Sequence, residues 1–477
     1  MTPLLPTPDS WAWTTLGEIA DVVGGVTKDA KKQSDPNLPL VPYLRVANVQ
    51  RGRLDLTTVT EIRVPEATAE RLQLLPGDVL LNEGGDRDKL GRGWVWDGEI
   101  PNCIHQNHVF RARVIDGILD PRLLAWFANE CAQTWFETNG KQTTNLASIS
   151  LSRIKELPLP IPPLAEQQRI VTILNDRLAE VDAAISALTQ ANGRVGRYLE
   201  AVVARELDHI ESVELGTILA EKLINGRSVP TRDDGFPVLR LTAMASGYLD
   251  LSERKAGDWT EREARPHLVK RGDFFVSRGN GSLSLVGRGA LLMDEPDPVA
   301  FPDTMIRIRA DRERIDSEFL RIVWQSYLVR QQIEGAARTT AGIYKINQSI
   351  LEGIRIPLPP LEKQAQIVAT IQEAEALVGT IGGAATVSIS RCRDLRRRLF
   401  GEAFRGRLTQ PEVGDEPAEG LLDRIRLERA AEAMPRNRTK RGVSRTGIKK
   451  ISFPADAGGV VSARDQESLF EQGEVSS

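Results

Sequence analysis

A stretch of alternating prolines occurs twice in the chain and limits what the chain can fold into. It reads LPLPIPPLAEQQRIVTIL from Leu157 to Leu174 and IRIPLPPLEKQAQIVATI from Ile354 to Ile371, and seven of the eighteen positions are identical. Proline fixes φ and has no amide donor, so the alternating prolines predict an extended segment that cannot lie inside a sheet. Pro163 suits the first turn of a helix, where its missing donor would be unpaired anyway. The stretch therefore predicts an extended segment that leads into a helix, twice in one chain.

The segment after Pro163 has the apolar spacing of a long packed helix. Apolar residues follow at alternating three- and four-residue steps, with Gln167 as the polar exception, which is the pattern of a coiled-coil seam. The seam residues are Leu164, Val171, Leu174, Leu178, Val181, Ile185 and Leu188. The second helix has a weaker seam, which Glu375 and Gly382 interrupt. Because an interior glycine costs about 1 kcal/mol against alanine, we expect the two helices to pack on each other.

The repeat extends to the whole unit that precedes each helix. LRVANVQRGRLDL from Leu44 matches LRLTAMASGYLDL from Leu239 at six of thirteen positions, and the offset between matching blocks stays between 195 and 199 residues. Such a fixed offset indicates an internal duplication. Within the first copy, residues 41–56 alternate like a hairpin and residues 121–137 have the pattern of one amphipathic helix.

The duplication predicts a mixed α/β (α+β) fold with two copies of one α/β domain, each followed by a long helix of the coiled-coil type. The expected boundaries are 1–160 for the first domain, 161–205 for the first spacer helix, 206–358 for the second domain, 359–408 for the second helix and 409–477 for a C-terminal tail. Residues 435–455 of that tail contain seven basic and no acidic residues, which predicts a partly disordered basic segment. A linker without a role and a nucleic-acid contact are both compatible with it.

Composition excludes several classes of protein. An apolar fraction of 41% and a charged fraction of 27% are those of a soluble globular protein, and no apolar run is long enough to span a membrane. Cys103, Cys131 and Cys392 are scattered, which favours a reducing cytoplasm over a disulfide framework. The net charge of −3 gives no global sign of nucleic-acid binding. Positive charge would therefore have to be concentrated locally.

Catalytic motifs are missing from the sequence. There is no P-loop, no Gly-x-Gly-x-x-Gly after a strand, and no Asn/Asp-Pro-Pro-Tyr/Phe tetrapeptide of an adenine methyltransferase. Residues 103–108, CIHQNH, could form a metal cluster, but a fourth ligand is not obvious and the second copy has none of the three ligands. Ordinary packing is the alternative interpretation. We therefore predict that this chain is not an enzyme and binds no metal.

The paired Leu-Pro-x-Pro-Pro-Leu segments, each at the end of an α/β domain, resemble those of the specificity (S) subunit of type I restriction–modification enzymes. The similarity spans about residues 12–408 and includes WTTLGE from Trp13, GDVL from Gly77, TTN from Thr143 and PPLAEQ from Pro162. The second copy departs from the pattern at Lys363, which replaces the glutamate of the Glu-Gln pair.

The resemblance implies a non-catalytic subunit with two target-recognition domains, each of which reads one half of a bipartite site in double-stranded DNA. It also implies that two long antiparallel coiled-coil helices separate these domains, with pseudo-twofold symmetry. It further implies that the helices bind two adenine-methyltransferase (M) subunits, with restriction–translocation (R) subunits further out. S-adenosylmethionine, ATP and Mg²⁺ would then belong to the partner subunits, with no cofactor in this chain. The alternative is a specificity subunit of a methylation-only or other multisubunit system without type I restriction.

Candidate DNA contacts are polar and basic residues of the glycine-rich and threonine-rich loops, because guanidinium, ammonium, amide and hydroxyl groups bind phosphates and base edges. In the first domain these are Asn82, Arg87, Lys89, Arg92, Gln106, Asn107, Lys141, Thr143, Thr144 and Asn145. In the second domain they are Ser277, Arg278, Asn280, Ser282, Arg288, Arg338, Thr339, Thr340, Tyr344 and Lys345. A solvated hairpin tip is the alternative interpretation of each loop. The second loop is favoured, since acidic residues lie in the first.

Candidate subunit contacts lie on the two helices. They are Leu164, Gln167, Val171, Leu174, Leu178, Val181, Leu361, Gln364, Val368 and Ile371. A purely intramolecular core is the alternative for this seam. Two further hypotheses stay open for the whole chain: an enzyme that itself acts on nucleic acid, and a coiled-coil scaffold for protein interactions without a DNA role.

Overall fold

The computed structural model describes residues 4–142, 147–340 and 342–433. The described residues form two compact units. Unit 1 comprises those up to Glu180 and those from Leu395 onward, and unit 2 comprises Val181–Asp394. Two long helices, α7 (Leu164–Leu207) and α12 (Leu361–Ala403), each have residues in both units.

Unit 1 is built mainly from short strands and short helices. Its strands are β1 (Ala12–Thr15), β2 (Ala20–Gly24), β3 (Leu40–Leu44), β4 (Val49–Gln50), β5 (Arg53–Leu54), β6 (Thr60–Arg63), β7 (Asp78–Asn82), β8 (Gly84–Gly85), β9 (Gly93–Trp96), β10 (Ile104–His105), β11 (Val109–Val114), β12 (Lys141–Gln142), β13 (Ala147–Ser148) and β14 (Pro158–Ile161). Its short helices are α1 (Leu16–Ile19), α2 (Ala30–Gln33), α3 (Glu66–Leu72), α4 (Pro121–Glu130), α5 (Gln133–Asn139) and α6 (Leu151–Ile154), and helix α13 (Ala418–Ala433) follows α12.

Unit 2 repeats this order of elements. Its strands are β15 (Ser212–Glu214), β16 (Ile224–Asn225), β17 (Thr231–Leu239), β18 (Arg254–Gly257), β19 (Phe274–Ser277), β20 (Gly279–Asn280), β21 (Gly289–Leu291), β22 (Met305–Ile308), β23 (Arg338–Thr340), β24 (Ile343–Lys345) and β25 (Arg355–Pro357). Its short helices are α8 (Glu261–Ala264), α9 (Ser317–Gln325), α10 (Tyr327–Ala336) and α11 (Gln348–Glu352).

The duplication predicted from the sequence is present in the sheets. The antiparallel sheet β2-β11-β7-β9 of unit 1 has the same strand order as β16-β22-β19-β21 of unit 2. The small sheet β8-β13-β12 likewise corresponds to β20-β24-β23. The predicted mixed fold class, with a duplicated unit and two long helices, is confirmed.

Two local predictions are wrong. The hairpin predicted over residues 41–56 forms only between β4 and β5, because β3 pairs instead with β6 and, in parallel, with β10. The helix predicted over residues 121–137 is divided into α4 and α5, since the N–H of Ala132 donates to the carbonyl of Phe127, five residues back, and so breaks the helical i→i−4 pattern. In both places long-range packing determines the outcome, and the local pattern does not contain that information.

The proline stretches lie at the edge of small sheets. β14 pairs antiparallel with β1, and β25 pairs in the same way with β15, each in a two-stranded sheet. Proline is tolerated there because an edge strand needs fewer amide donors than a central one. Helices α7 and α12 then begin at Leu164 and Leu361, directly after the second proline of each pair. The predicted change from an extended segment to a helix is confirmed in both copies.

Gln167 joins the first long helix to its domain. Its side chain is 1% exposed, and its Oε1 accepts a hydrogen bond of 3.0 Å from the backbone N–H of Asp120. Its Nε2 donates to the carbonyl oxygens of Ile118 (2.7 Å) and Pro162 (3.0 Å). Because Asp120 is the N-cap of α4, one amide connects α7, the proline segment and the start of a core helix.

Gln364 makes the same joint in unit 2. Its side chain is fully buried, and its Oε1 accepts from the N–H of Asp316, the N-cap of α9, at 2.8 Å. Its Nε2 donates to the carbonyl oxygens of Arg314 and Pro359, both at 2.8 Å. The same three bonds therefore hold both long helices, and we call each set a glutamine joint.

Replacement of Gln167 by alanine should destabilise the protein. The backbone groups of Asp120, Ile118 and Pro162 would lose their partner in a buried place, which costs about 2–4 kcal/mol of unfolding free energy. Denaturant unfolding followed by circular dichroism measures the loss. Gln168→Ala, an exposed substitution one position further along the same helix, is the control and should change stability by less than about 0.5 kcal/mol. Equal effects of the two substitutions would contradict the role of the joint.

Candidate nucleic-acid interface

The small sheet β20-β24-β23 of unit 2 presents a row of two cations. Arg338 lies directly opposite Lys345, and Lys345 lies opposite Gly279. Residues that face each other in neighbouring strands point to the same side of a sheet. Both side chains are exposed, so their charges lie side by side on the surface. Two adjacent cations beside a glycine give a flat positive surface on which an anionic backbone can lie.

The neighbouring row of the same sheet faces the other side. It contains Asn280, Tyr344 and Thr339. Tyr344 is half-buried and packs against the core of unit 2, whereas Thr339 is exposed. Tyr344 thus supports the sheet on the side that faces the core. Arg338 and Lys345 carry the accessible charge on the other side.

The corresponding row of unit 1 has one cation. Lys141 lies opposite Ser148, which lies opposite Gly84 in β8. Lys141 is exposed, and Ser148 stands where unit 2 has Lys345. The predicted contacts Thr143, Thr144 and Asn145 lie outside the described residues, and for Thr340 the structure describes only the backbone.

The glycine-rich loop of unit 1 is partly neutralised by its own acids. The Lys89 ammonium pairs with Asp86, and this hydrogen bond lowers the pKa of the Asp86 carboxyl. Glu83 accepts from the His108 ring at 2.6 Å. Arg87 is exposed on a 3₁₀ turn, and Arg92 is half-buried. The structure therefore places Arg87 as the most accessible cation of this loop.

Two predicted contacts, Asn82 and Ser277, are buried at equivalent strand ends. Asn82 is fully buried and donates from Nδ2 to the Val49 carbonyl at 2.8 Å. Ser277 is 3% exposed, donates to the Leu285 carbonyl at 2.9 Å and accepts from the Arg288 N–H at 3.1 Å. In this conformation both side chains hold their loop in place and do not reach the surface.

The remaining predicted contacts lie at or near the surface. Gln106 and Asn107 are half-buried, and Gln106 accepts from the Val46 N–H at 3.4 Å. Arg278 and Asn280 are also half-buried, and Asn280 accepts from the backbone of Ser282, which is exposed. These polar groups are available at loop tips without forming one cluster.

Sequence reasoning missed Arg51, at the turn between β4 and β5. Its guanidinium donates to the backbone carbonyl of Asn129 and, at 3.3 Å, to Oε1 of Gln133. Gln133 in turn donates from Nε2 to the Arg87 carbonyl at 3.3 Å. Arg51 thereby supports the glycine-rich loop from a hairpin that is distant in sequence. The motif Arg-Gly-Arg at residues 51–53 was the one available signal.

Residues 103–108 do not form a metal site in this structure. Burial raises the pKa of the Cys103 thiol to about 12, so that it stays protonated. The His105 ring is buried and donates from Nδ1 to the Val109 carbonyl at 2.6 Å. Within residues 4–142, 147–340 and 342–433, no three His, Cys, Asp or Glu side chains are grouped so that they could hold a metal ion.

The predicted seam of α7 and α12 is largely buried within the units themselves. Val171, Leu174 and Leu178 lie in the core of unit 1 together with Phe400 and Phe404, and Ile371 lies in the core of unit 2. Val181 is buried as well, Val368 and Leu164 are half-buried, and Leu361 is 41% exposed. Gln167 and Gln364 form the glutamine joints. The buried residues therefore serve the core, and their predicted role as subunit contacts stays a prediction.

A different, apolar part of the helices is exposed within unit 2. Tyr198 (49% exposed), Leu377 (50%) and Ile381 (38%) line a groove of about 310 Å³ with Arg194 and Val195. Further along α7, Val202 shares a core with residues that come earlier in α12. Higher residue numbers of α7 thus meet lower numbers of α12, so the helices are antiparallel in this unit. We call this surface the helix groove.

Comparison with known proteins shows which proteins the chain resembles. Residues 8–188 match the family described as Type I restriction modification DNA specificity domain. The chain is 27% identical over 464 residues to the Type I restriction enzyme EcoKI specificity subunit of Escherichia coli (strain K12). This match covers 89% of this chain and 96% of that protein. It is 25% identical over 460 residues to the StySPI specificity subunit of Salmonella potsdam, with coverage of 89% and 96%. The resemblance to type I specificity subunits is confirmed.

A solved structure shares the fold. A chain from the structure that describes complex assembly and conformational transition of the type I R-M system superimposes with a TM-score of 0.65 at 18% identity. The match covers 84% of this chain and all of that one. Among the described residues, no helix combines the length and the hydropathy that are needed to cross a membrane.

The stability of unit 1 should depend on the protonation of His105. Burial lowers the pKa of its ring from 6.5 to about 4. Between these values the unfolded chain binds a proton that the folded chain does not bind, so stability should fall as the pH is lowered from about 6.5 to 4. His105→Asn, which keeps an N–H donor for Val109, should reduce this pH dependence in denaturant unfolding. His209→Asn at an exposed site should leave it unchanged, and an unchanged dependence in His105→Asn would contradict the assignment.

Proposed function

We propose that this chain, which contains a type I restriction modification DNA specificity domain and is related to type I specificity subunits over most of its length, is the DNA-recognition subunit of such a complex. Residues 1–160 and 206–358 would be the two recognition domains, and each would read one half of a bipartite site in double-stranded DNA. The observation that carries this proposal is the repeated small sheet, which presents two cations in one row in unit 2 and one cation in the same row in unit 1.

The net charge of −3 does not argue against DNA binding, because positive charge can be concentrated locally. DNA binding needs cations at the phosphates and polar groups at the base edges, and it does not need a basic protein overall. We assign Arg338, Lys345 and Lys141 to phosphates because they are exposed and lie in the same row of the repeated small sheet. We assign Ser282, which is exposed in the loop after β20 and whose hydroxyl can bond to a base edge, to the reading of sequence. Diverged copies of one unit would then read different half-sites.

Catalysis would belong to partner subunits. The chain has no nucleotide-binding or methyltransferase motif, and its buried Cys103 and His105 are fixed by packing. We propose that S-adenosylmethionine, ATP and Mg²⁺ bind to methyltransferase and restriction subunits, and that this chain selects the DNA on which they act. The long helices, with 44 and 43 residues, would extend for about 65 Å at 1.5 Å per residue and set the gap between half-sites.

The helix groove is the proposed contact for the methyltransferase subunits. An exposed apolar groove that includes an aromatic side chain is typical of a protein interface. The predicted seam residues are mostly buried, so a partner would meet Tyr198, Leu377 and Ile381 in their place.

Substitution of both sheet cations should weaken DNA binding and its dependence on salt. Each phosphate contact adds about one to the slope of log affinity against log salt. Arg338→Ala with Lys345→Ala should therefore lower that slope by about two in a titration with a duplex that carries the methylated sequence. Arg205→Ala, which removes an exposed arginine already paired with Glu206, is the control and should leave the slope unchanged. A slope that the double substitution does not alter would rule out the assigned phosphate contacts.

Substitution in the helix groove should separate the chain from its methyltransferase. Tyr198→Ser with Leu377→Ser removes two exposed apolar anchors, each worth about 1–2 kcal/mol in an interface. We expect at least a tenfold loss of co-purified methyltransferase. Val387→Ser, at an apolar position of α12 that is 51% exposed and lies outside the groove, is the matched control. Equal co-purification in the two variants would place the contact elsewhere.

A further inference from the structure

Unit 2 contains a cavity to which the proposed function assigns no role. It has a volume of about 340 Å³ and lies between the turn at residues 245–247, the loop that ends at Arg288, and the junction of α9 with α10. Its polar lining consists of Ser246, Ser284, Arg288, Gln325 and Arg330. Because the two units are copies of one another, the cavity has an equivalent place in unit 1.

In unit 1 the corresponding place is filled by Arg51. Arg51 and Ser246 occupy equivalent positions, because each precedes a glycine with positive φ, Gly52 at 69° and Gly247 at 83°. Arg51 reaches from this turn to the Asn129 carbonyl and to Oε1 of Gln133.

The groups that Arg51 contacts have equivalents in the wall of the cavity. Asn129 and Gln325 each lie nine residues after an aspartate N-cap. Gln133 and Arg330 each lie three residues before the side chain, Phe136 or Ile333, that packs over the next glycine of the loop. A serine at position 246 is too short to cross this space, and its hydroxyl donates back to the Tyr248 carbonyl at 3.1 Å. The cavity is therefore the space that an arginine occupies in the other copy.

The lining favours an anion. It contains two guanidinium groups, two hydroxyls and an amide, and no carboxylate is among the residues that line it. Arg330 is held in place by bonds to the Val286 carbonyl (2.8 Å) and to Glu334 (2.9 Å). Arg288 is exposed, and within the described part of the chain its guanidinium makes no hydrogen bond. Because Glu334 offsets part of the charge of Arg330, Arg288 is the main unneutralised cation, and the Ser284 hydroxyl can complete the shell of an oxyanion.

We propose that this cavity binds a phosphodiester group of the DNA, and that Arg288 with the Ser284 hydroxyl holds it. The proposal rests on the proposed function of the chain and adds an asymmetry to it. Unit 2 would receive a phosphate into a recess, whereas unit 1, in which Arg51 fills that recess, would hold DNA only on its surface. Arginine and hydroxyl groups are the usual partners of DNA phosphates, which supports this choice of ligand.

Inorganic phosphate tests the site without DNA. The full chain is treated with the arginine reagent phenylglyoxal in phosphate or in chloride of equal ionic strength, and the modification of Arg288 is followed by mass spectrometry. Bound phosphate should slow the modification by about fivefold at about four times its dissociation constant. Ser246→Leu, which fills the cavity without adding charge, should abolish the protection, whereas Ser246→Ala should keep it. The exposed Arg265 reports on general effects of phosphate.

A second substitution controls for misfolding of the variants in which a larger side chain fills the cavity. Ser246→Met offers a flexible side chain that can adapt to the recess, and it should abolish protection as Ser246→Leu does. Both variants should keep the circular dichroism spectrum of the wild type. In a titration with the recognised duplex, filling the cavity should lower the slope of log affinity against log salt by about one relative to Ser246→Ala.

The outcomes separate this site from the proposed function. Protection that the filled variants abolish, together with the lower slope, supports a phosphate recess. Selective duplex binding without protection of Arg288, or with equal protection in the filled variants, overturns the recess and leaves DNA recognition intact. Cavity-dependent protection in a chain that selects no duplex overturns the assignment to DNA together with the proposed function.

Discussion

The rest of the structure depends on a buried amide at the start of each long helix. A primary amide moved from water into a protein core costs several kcal/mol unless its donors and acceptor are satisfied. Gln167 and Gln364 are each satisfied by backbone groups of the proline segment and of the loop before a core helix. The helix cannot change its direction without breaking these bonds. Each glutamine joint therefore fixes how a long helix leaves its domain, and the proposed reading of two separated half-sites would require this.

The two joints differ at the residue before the glutamine, and the difference has a structural reason. Glu166 is buried and accepts from the Trp11 indole at 3.0 Å and from the Thr409 hydroxyl at 2.7 Å. Unit 1 thus ties its first strand and the segment after α12 to the base of α7. In unit 2 the position is Lys363, which is exposed. A buried carboxylate is kept only where donors meet it, so the sequence departure at Lys363 marks the copy without such donors.

The fold could be predicted further than the site. Prolines and seven-residue spacing act locally, so the extended segments, the long helices and the duplication were readable from the sequence. Asn82 and Ser277 show why the candidate DNA contacts could not be predicted from the sequence in the same way. The amides and hydroxyls that would bind base edges also bond to the protein's own carbonyls, and only packing decides between these uses. Gln167 is a similar case, since a polar residue in a seam suggests a subunit contact and here holds the chain together. Arg51 was missed because its partners lie 78 and 82 residues away.

Duplication gives this chain two copies of one frame whose surfaces can diverge independently. The strands and joints are retained because each supports many other residues, and a change there would destabilise a whole unit. Substitutions at surface positions do not destabilise a unit in this way. Ser148 stands opposite Lys141 where Lys345 stands opposite Arg338, and Ser246 leaves open the recess that Arg51 fills. Each exchange alters charge or shape at a place that the core does not need. Under the proposed function, two unlike half-sites could therefore be read after substitution at the sheet and the turn alone, because the helices that would set the spacing are touched by neither exchange.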